Sequence, residues 1–255
     1  MVDLHCHILP GIDDGPATLE ESLAMAESAI SEGITRLVAT PHSNSRFKFD
    51  LTKVRRLREE LQSRLEGRLE LATGCDFHLD PENLAAVHKD PSAFCINQRD
   101  YLLVEFNEFS IPRSMDQTLH RLHLAGLRPI ITHPERNAIL RSHPERLAGW
   151  VLQGCFVQVT GGAITGGFGK GPREDALAWI GRGLVHIVAS DAHNLTSRPL
   201  VLRPAYAAVR DLFGEKTAEA LFLLNPLAAF EGRPLPCVPE VPAEEPRRKK
   251  RFFFF

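Results

Sequence analysis

The sequence lacks long apolar runs. Nothing in it approaches the ~20 consecutive apolar residues of a membrane-spanning helix, so no span is expected. Its opening, Met1-Val2-Asp3-Leu4-His5-Cys6-His7, has neither the basic nor the apolar region of a secretion signal. It also lacks a cysteine framework. The five cysteines, at 6, 75, 95, 155 and 237, are odd in number and irregular in spacing, which reads as reduced thiols of a cytoplasmic protein. A strong charge of one sign is missing as well, the net being −2. That balance hides an asymmetry: five of the 30 Lys and Arg stand together at positions 247–251, and the remaining 25 face 32 Asp and Glu. An acidic body argues against nucleic acid as a partner, because such binding rests on phosphate neutralisation. There is no Gly-x-Ser-x-Gly elbow, and no cysteine has an arginine six positions on. Gly169-Lys170 lacks the earlier glycine of a phosphate-binding loop, and Gly171 follows it. What remains is 255 residues, 44% hydrophobic and 24% charged, an ordinary globular composition. The length suffices for a core without disulfides or structural metal and matches one α/β barrel.

Apolar, β-branched runs at 2–7, 35–40, 69–74, 101–105, 128–132, 156–160 and 185–189 alternate with helical patterns. Leu19, Leu23, Ala26 and Ile30 make one helix face, with Thr18 and Glu21 as a capping box and Gly33 as the stop. Leu51, Val54, Leu57, Leu61 and Leu65 make a second, and an irregular stretch runs from about 75 to 100. Further helices are expected around Met115, Leu119 and Leu122, and near 144–153, 173–180, 199–213 and 217–224. About seven β-α units imply a parallel sheet, open or closed into a barrel. Residues 161–171 are glycine-rich and admit two readings, a flap over the site or a plain long loop. From Pro234 onward the chain is rich in proline and charge and reads as a tail.

All but the sixth of the expected strands end in or beside a residue that can bind metal. His5 and His7 close the first, His42 follows the second, Asp76 the third, Glu105 ends the fourth, His133 the fifth, and Asp191 and His193 the seventh. In a β/α barrel the carboxyl ends of all strands meet on one face, where active sites sit. Residues nearly 190 positions apart would therefore converge. The spacing His-x-His sends both imidazoles to one side of a strand and Cys6 to the other, so Cys6 is excluded as a ligand. Imidazole and carboxylate without thiolate suit manganese, iron or zinc. With Asp14 counted, the donors exceed what one ion needs, and Glu105 is suited to bridge two. His78 lies near the site by sequence and is left open; His88, His120 and His123 read as surface or helix residues and His143 as a helix-start residue.

The motifs His5-Cys6-His7-Ile8-Leu9-Pro10-Gly11-Ile12-Asp13-Asp14-Gly15, Ala39-Thr40-Pro41-His42, His133-Pro134-Glu135-Arg136, Val159-Thr160-Gly161-Gly162, Phe168-Gly169-Lys170 and Ala189-Ser190-Asp191-Ala192-His193-Asn194 follow in order. Together they resemble bacterial tyrosine-protein phosphatases of the polymerase-and-histidinol-phosphatase (PHP) superfamily, the enzymes linked to capsule and exopolysaccharide synthesis. The resemblance runs from Met1 to about Gly232. It implies a distorted seven-stranded (β/α)7 TIM-like barrel over residues 1–233, a tail over 234–255, and a cluster of about three divalent ions, often manganese. It implies metal ligands at His5, His7, Asp14, His42, Asp76, Glu105, His133, Asp191 and His193, and phosphate-binding groups at Arg136 and Arg198. Better-known members carry Glu where this chain has Asp76, one methylene shorter.

The resemblance also implies a substrate: phosphotyrosine on a bacterial tyrosine autokinase of polysaccharide export. The alternative is a small-molecule phosphatase such as histidinol-phosphatase. A nuclease or polymerase-accessory role is disfavoured by the acidic body, and a non-catalytic module by the nearly complete ligand set. An amidohydrolase is disfavoured because the bridging lysine usual there is here Glu105. The end of the chain, Arg247-Arg248-Lys249-Lys250-Arg251 followed by four phenylalanines, is read either as a solvated end or as a peripheral contact with an anionic membrane surface.

Overall fold

A computed structural model describes residues 1–240. Nine parallel strands form it: β1 (Val2–Cys6), β2 (Arg36–Ala39), β3 (His42–Ser43), β4 (Glu70–Thr73), β5 (Asp76–His78), β6 (Tyr101–Glu105), β7 (Arg128–Thr132), β8 (Phe156–Thr160) and β9 (Ile187–Ala189). They pair as β1-β2-β4 and β3-β5-β6-β7-β8-β9. Only Thr40-Pro41 separates β2 from β3, and only Gly74-Cys75 separates β4 from β5. Bonds from Gly74 N to Ala39 O and from Asp76 N to Pro41 O carry the ladder past both breaks. Each pair is therefore one interrupted stave. The ring closes where Cys6 bridges Ala192, with Asp191 N donating to His5 O and His7 N to Ala192 O. Seven staves make a closed (β/α)7 barrel, as the seven expected units require.

The staves are apolar on both faces, as parallel strands covered on each side must be. Leu37, Leu102, Ile131, Val157 and Val188 pack outward beneath the helices. Leu4, Val38, Ala72, Leu103, Ile130 and Ile187 fill the interior. Alternation slips once, in β1, where the register with β2 shifts between Asp3 and Cys6. Leu4 thus joins the interior cluster while Cys6, two residues on, packs in the outer one. A bulge of this kind re-aims side chains near a site.

Several expectations change. The first helix, Leu19–Ser31, has the expected capping box, but it buries Ser22, Met25, Ala26 and Ala29. Leu19, Leu23 and Ile30 flank this line half-buried. Small residues on the deepest line let the helix lie close to the barrel. The stretch expected to be irregular holds β5, then a helix at Pro81–Lys89 capped by Asp80, whose side chain accepts from Asn83 N. The glycine-rich stretch is partly helical: Thr160 caps one turn at Gly161–Ile164 and a longer helix starts at Lys170. Residues 234–240 stay on the body instead of leaving it at Pro234. Leu235 is buried in the interior cluster with Phe230, against the barrel's lower end at Val2 and Tyr101. Asn225 holds Cys237 through both its carbonyl and its amide. The basic run and the four phenylalanines lie outside the described residues. Among the described residues, no helix is long and apolar enough to cross a membrane.

Candidate metal centre

All nine residues expected to bind metal meet at the carboxyl ends of the staves. Four overlapping groups have ligand atoms within 4.8 Å of one another: His7, Asp14, His42 and His193; His5, His7 and Asp76; His5, His133 and Asp191; and His42, Asp76 and Glu105. Their atoms interlock. His5 Nε2 lies 3.3 Å from His7 Nε2 and 3.3 Å from Asp191 Oδ1. His42 faces two ways, with Nε2 3.5 Å from Asp14 Oδ1 and Nδ1 3.0 Å from Asp76 Oδ2. Glu105 lies among three imidazoles, those of His42 (3.7 Å), His78 (3.0 Å) and His133 (3.8 Å). His78, left open by the sequence, thus stands beside the cluster.

Backbone geometry aims two of these groups. His133 and Asp191, each just past a stave, have φ of 33° and 52°. This left-handed region costs of order 1–3 kcal/mol for a non-glycine residue and persists where surrounding structure enforces it.

The donor set fits divalent cations. Both Asp76 oxygens, Asp191 Oδ1, His42 Nδ1 and His193 Nε2 are buried without a hydrogen-bond partner, a costly state unless a charge meets them. Burial opposes charge on His7, yet bonds to Asp13 and Asp191 raise its pKa to about 10. The carboxylates therefore demand positive charge at this spot. Burial disfavours ionised Asp76 and Asp191, but His5, and for Asp76 also His42, hold both well below the usual carboxylate range. Burial and the charge of Asp76 push Glu105 up. Burial, with Arg136 nearby, keeps His133 well below its ordinary value, and burial with the charge of His7 lowers His193 to about 4. Both thus stand neutral, with lone pairs available to a metal.

Arg136 and Arg198 both donate to Asp191 Oδ2. Asp191 therefore has one oxygen among imidazoles and the other under two guanidiniums. The ring of Phe168, from the glycine-rich stretch, lies 4.7 Å from the Arg136 guanidinium carbon. Glu135 turns away from Arg136: its Oε1 accepts from both Thr160 N (2.7 Å) and Thr160 Oγ1 (2.8 Å).

The family model for capsular polysaccharide synthesis proteins of the CpsB/CapC type matches residues 1–231. The tyrosine-protein phosphatase YwqE of Bacillus subtilis is 33% identical over the whole of both chains. The chain belongs to the CpsB/CapC family. A protein of Staphylococcus aureus named putative tyrosine-protein phosphatase CapC is 35% identical, with 81% of this chain and 82% of that one covered. A solved structure from work on YwqE of Bacillus subtilis and CpsB of Streptococcus pneumoniae, described as metal-dependent tyrosine phosphatases, matches with a TM-score of 0.86 at 33% identity, covering 92% of this chain and 96% of that one. A lactonase from Listeria monocytogenes matches with a TM-score of 0.56 at 13% identity, which shows the barrel fold alone.

The structure adds buried polar residues that the sequence alone did not single out. Asp13 Oδ2 accepts from His7 Nδ1 at 2.7 Å and from His42 N at 3.1 Å, while its Oδ1 accepts from Gly15 N. Burial opposes its charge, but the bond to His7 prevails and lowers its pKa. The adjacent pair Asp13-Asp14 is its signal in the sequence. Gln158 Oε1 lies 2.9 Å from His5 Nδ1; a glutamine inside the buried strand Phe156–Thr160 was its signal. Asp3 Oδ1 accepts from Ser190 N and His5 N, tying the first stave to the seventh below the cluster. Cys6, excluded as a ligand, is buried, with its thiol 3.6 Å from Ala192 O.

Proposed function

We propose that the chain is a metal-dependent protein-tyrosine phosphatase. The observation that carries this reading is Asp191, whose two oxygens join a metal-type cluster to a pair of arginines. Phosphomonoester hydrolysis needs both: charge neutralisation at the phosphoryl oxygens and donors that hold the group in line. We propose His5, His7, Asp14, His42, Asp76, Glu105, His133, Asp191 and His193 as the ligands of about three divalent ions, manganese by preference. Bound there, such ions supply Lewis-acid charge and water activated toward a pKa of ~7.

The chain's own residues do the rest. Arg136 and Arg198 grip phosphoryl oxygens, since guanidinium matches phosphate bidentately. Asp191 fixes both guanidiniums before substrate arrives, so little orientation is lost on binding. Neutral His133 and His193 hold their nitrogens as acceptors toward the centre. Asp13 and Gln158 set the tautomers of His7 and His5 from behind. A tyrosine phenolate, pKa ~10, leaves without strong help from a general acid.

Full-length similarity to YwqE supports the phosphotyrosine reading over histidinol phosphate. A tyrosine autokinase of polysaccharide export is the proposed substrate, met in the cytoplasm. Residues 1–240 are proposed to suffice for hydrolysis, the basic run at 247–251 and the phenylalanines serving a membrane-surface contact. The test compares a phosphotyrosine peptide, histidinol phosphate and single-stranded DNA with manganese, before and after chelation. Hydrolysis of the peptide, lost to chelator and restored by manganese, is expected. Full activity in a thoroughly demetallated sample would refute the metal mechanism. For the tail, binding of anionic liposomes should be weaker in a chain ending at Pro246 and should fall with salt. Equal binding by both chains would remove the proposed contact.

A further inference from the structure

Next to the metal centre lies a second cavity, of about 270 Å³. Phe168, Pro199, Val201 and Pro204 make its apolar walls, and it reaches Asp191 and Arg198. Both of these also belong to the centre, so the two spaces share a wall. The backbone of Gly162 adds to that wall; a Cβ there would meet the Phe168 ring at 3.0 Å. Phe168 thus borders the cavity and also rests on the Arg136 guanidinium.

Shape and chemistry choose the occupant. The one carboxylate bordering the cavity, Asp191, already takes both arginines, so a cation finds no free charge there. An anion is drawn to the arginines, not to proline and valine. What fits the walls is a flat apolar group whose polar end emerges at Arg198. Aromatic rings gain from packing against another ring and apolar side chains.

We propose that this cavity is an aryl subsite: it takes the phenyl ring of the substrate while Arg136 and Arg198 hold the phosphoryl group. The proposal rests on the function proposed above and makes the enzyme select aryl over alkyl phosphate esters by shape. An alkyl ester leaves the cavity empty and forgoes the burial of a ring.

Non-hydrolysable phosphonates test it, because they share the phosphoryl-like head and remove leaving-group effects. Affinities of phenylphosphonate and methylphosphonate for the manganese-loaded protein are measured by calorimetry or by competition against phosphotyrosine hydrolysis. The wild type should prefer phenylphosphonate by at least ~10-fold, less than full burial of a phenylalanine-sized group is worth. Val201 and Thr165 both line the cavity, and Val201→Trp or Thr165→Trp fills it, so each should erase that preference by weakening phenylphosphonate. Should one variant fail to fold, the other reads the same quantity. Absence of a preference in the wild type, or its persistence in the folded tryptophan variants, overturns the proposal. Loss of the preference in Phe47→Ala alone would move the ring to the His42 side of the centre, where Phe47 stacks on His42, and would overturn it too. The two readings fail differently. If the chain is no phosphatase, phosphotyrosine is not hydrolysed and neither phosphonate competes. If only the aryl subsite is wrong, hydrolysis proceeds and the phosphonates bind without the expected preference.

Discussion

Asp13→Asn should weaken metal binding without touching a ligand. The carboxylate accepts three bonds: from His7 Nδ1 and His42 N at one oxygen, and from Gly15 N at the other. All three are N–H donors, so both oxygens must be acceptors. An asparagine has one carbonyl and one NH2, and whichever way it turns, its NH2 faces an N–H. If the NH2 faces Gly15, the turn at residues 11–15 loosens; if it faces His7, the imidazole must shift tautomer or rotate. In the second case Nε2, 3.4 Å from Asp191 Oδ1, becomes a donor and is lost as a ligand. Removing an orienting partner of this kind costs 10- to 100-fold in metal affinity or activity as a rule of thumb, or about 1.4–2.8 kcal/mol. The assay is competition with a chromophoric chelator, alongside kcat/KM for a phosphotyrosine peptide at rising manganese. The apparent Kd for manganese should rise by that factor, and saturating metal should restore much of kcat. Unchanged affinity and activity would refute the argument. So would lost activity at wild-type affinity, which would give Asp13 a role in the reaction instead of in positioning.

Three further outcomes are expected. Glu105→Gln, which removes charge from among three imidazoles, should lower kcat by ~100-fold or more, the scale of losing one preorganised electrostatic group, and should reduce the bound-metal count; near-wild-type turnover and metal content would show that Glu105 bridges nothing. Arg136→Ala and Arg198→Ala should each cost about 1.5–3 kcal/mol in kcat/KM, the worth of a charge-assisted hydrogen bond, with metal content kept; joint loss of metal and activity would assign the arginines to holding Asp191 alone. Burial raises Glu135 to about 7, so the folded state holds a proton that the unfolded state releases near its ordinary carboxyl value; stability should fall by about 3 kcal/mol as pH rises from about 4.5 to 7, and Glu135→Gln should flatten that slope in thermal melts, an unaltered slope refuting the assignment.

The staves were legible because a strand covered on both faces needs apolar, β-branched residues throughout, and such runs stand out. β6, β7 and β8 were expected at the residues where they lie. β5 was not, because its three residues, Asp76, Phe77 and His78, carry site chemistry instead of strand pattern. Of the inner line of the first helix only Ala26 was expected, for a related reason. Hydrophobicity marks large residues, whereas close approach to a barrel selects Ser22, Ala26 and Ala29. The packing of residues 234–240 was illegible because proline-rich composition speaks of local stiffness, not of the contact that buries Leu235.

The site divides in the same way, along the barrel axis. At the lower end the staves place Val2, Tyr101, Leu103, Ile130 and Ile187 in one apolar cluster. At the upper end they place His5, Glu105 and Asp191 among the potential ligands. Six of the seven staves therefore pass from an apolar stretch to a candidate ligand at or just past their carboxyl end, β8 finishing in Thr160 instead, and that recurrence is why ligand positions could be read from strand ends. Between the two layers lie buried polar groups that are not themselves ligands. Asp3 and Gln158 occupy this middle layer, both fully buried, and each bonds to His5 or to the stave that carries Asp191. In the sequence such residues look like faults in a hydrophobic strand. In the barrel Gln158 meets the second ring nitrogen of His5, and Asp3 meets the backbone N–H groups of His5 and Ser190, buried groups that only another buried polar group can satisfy.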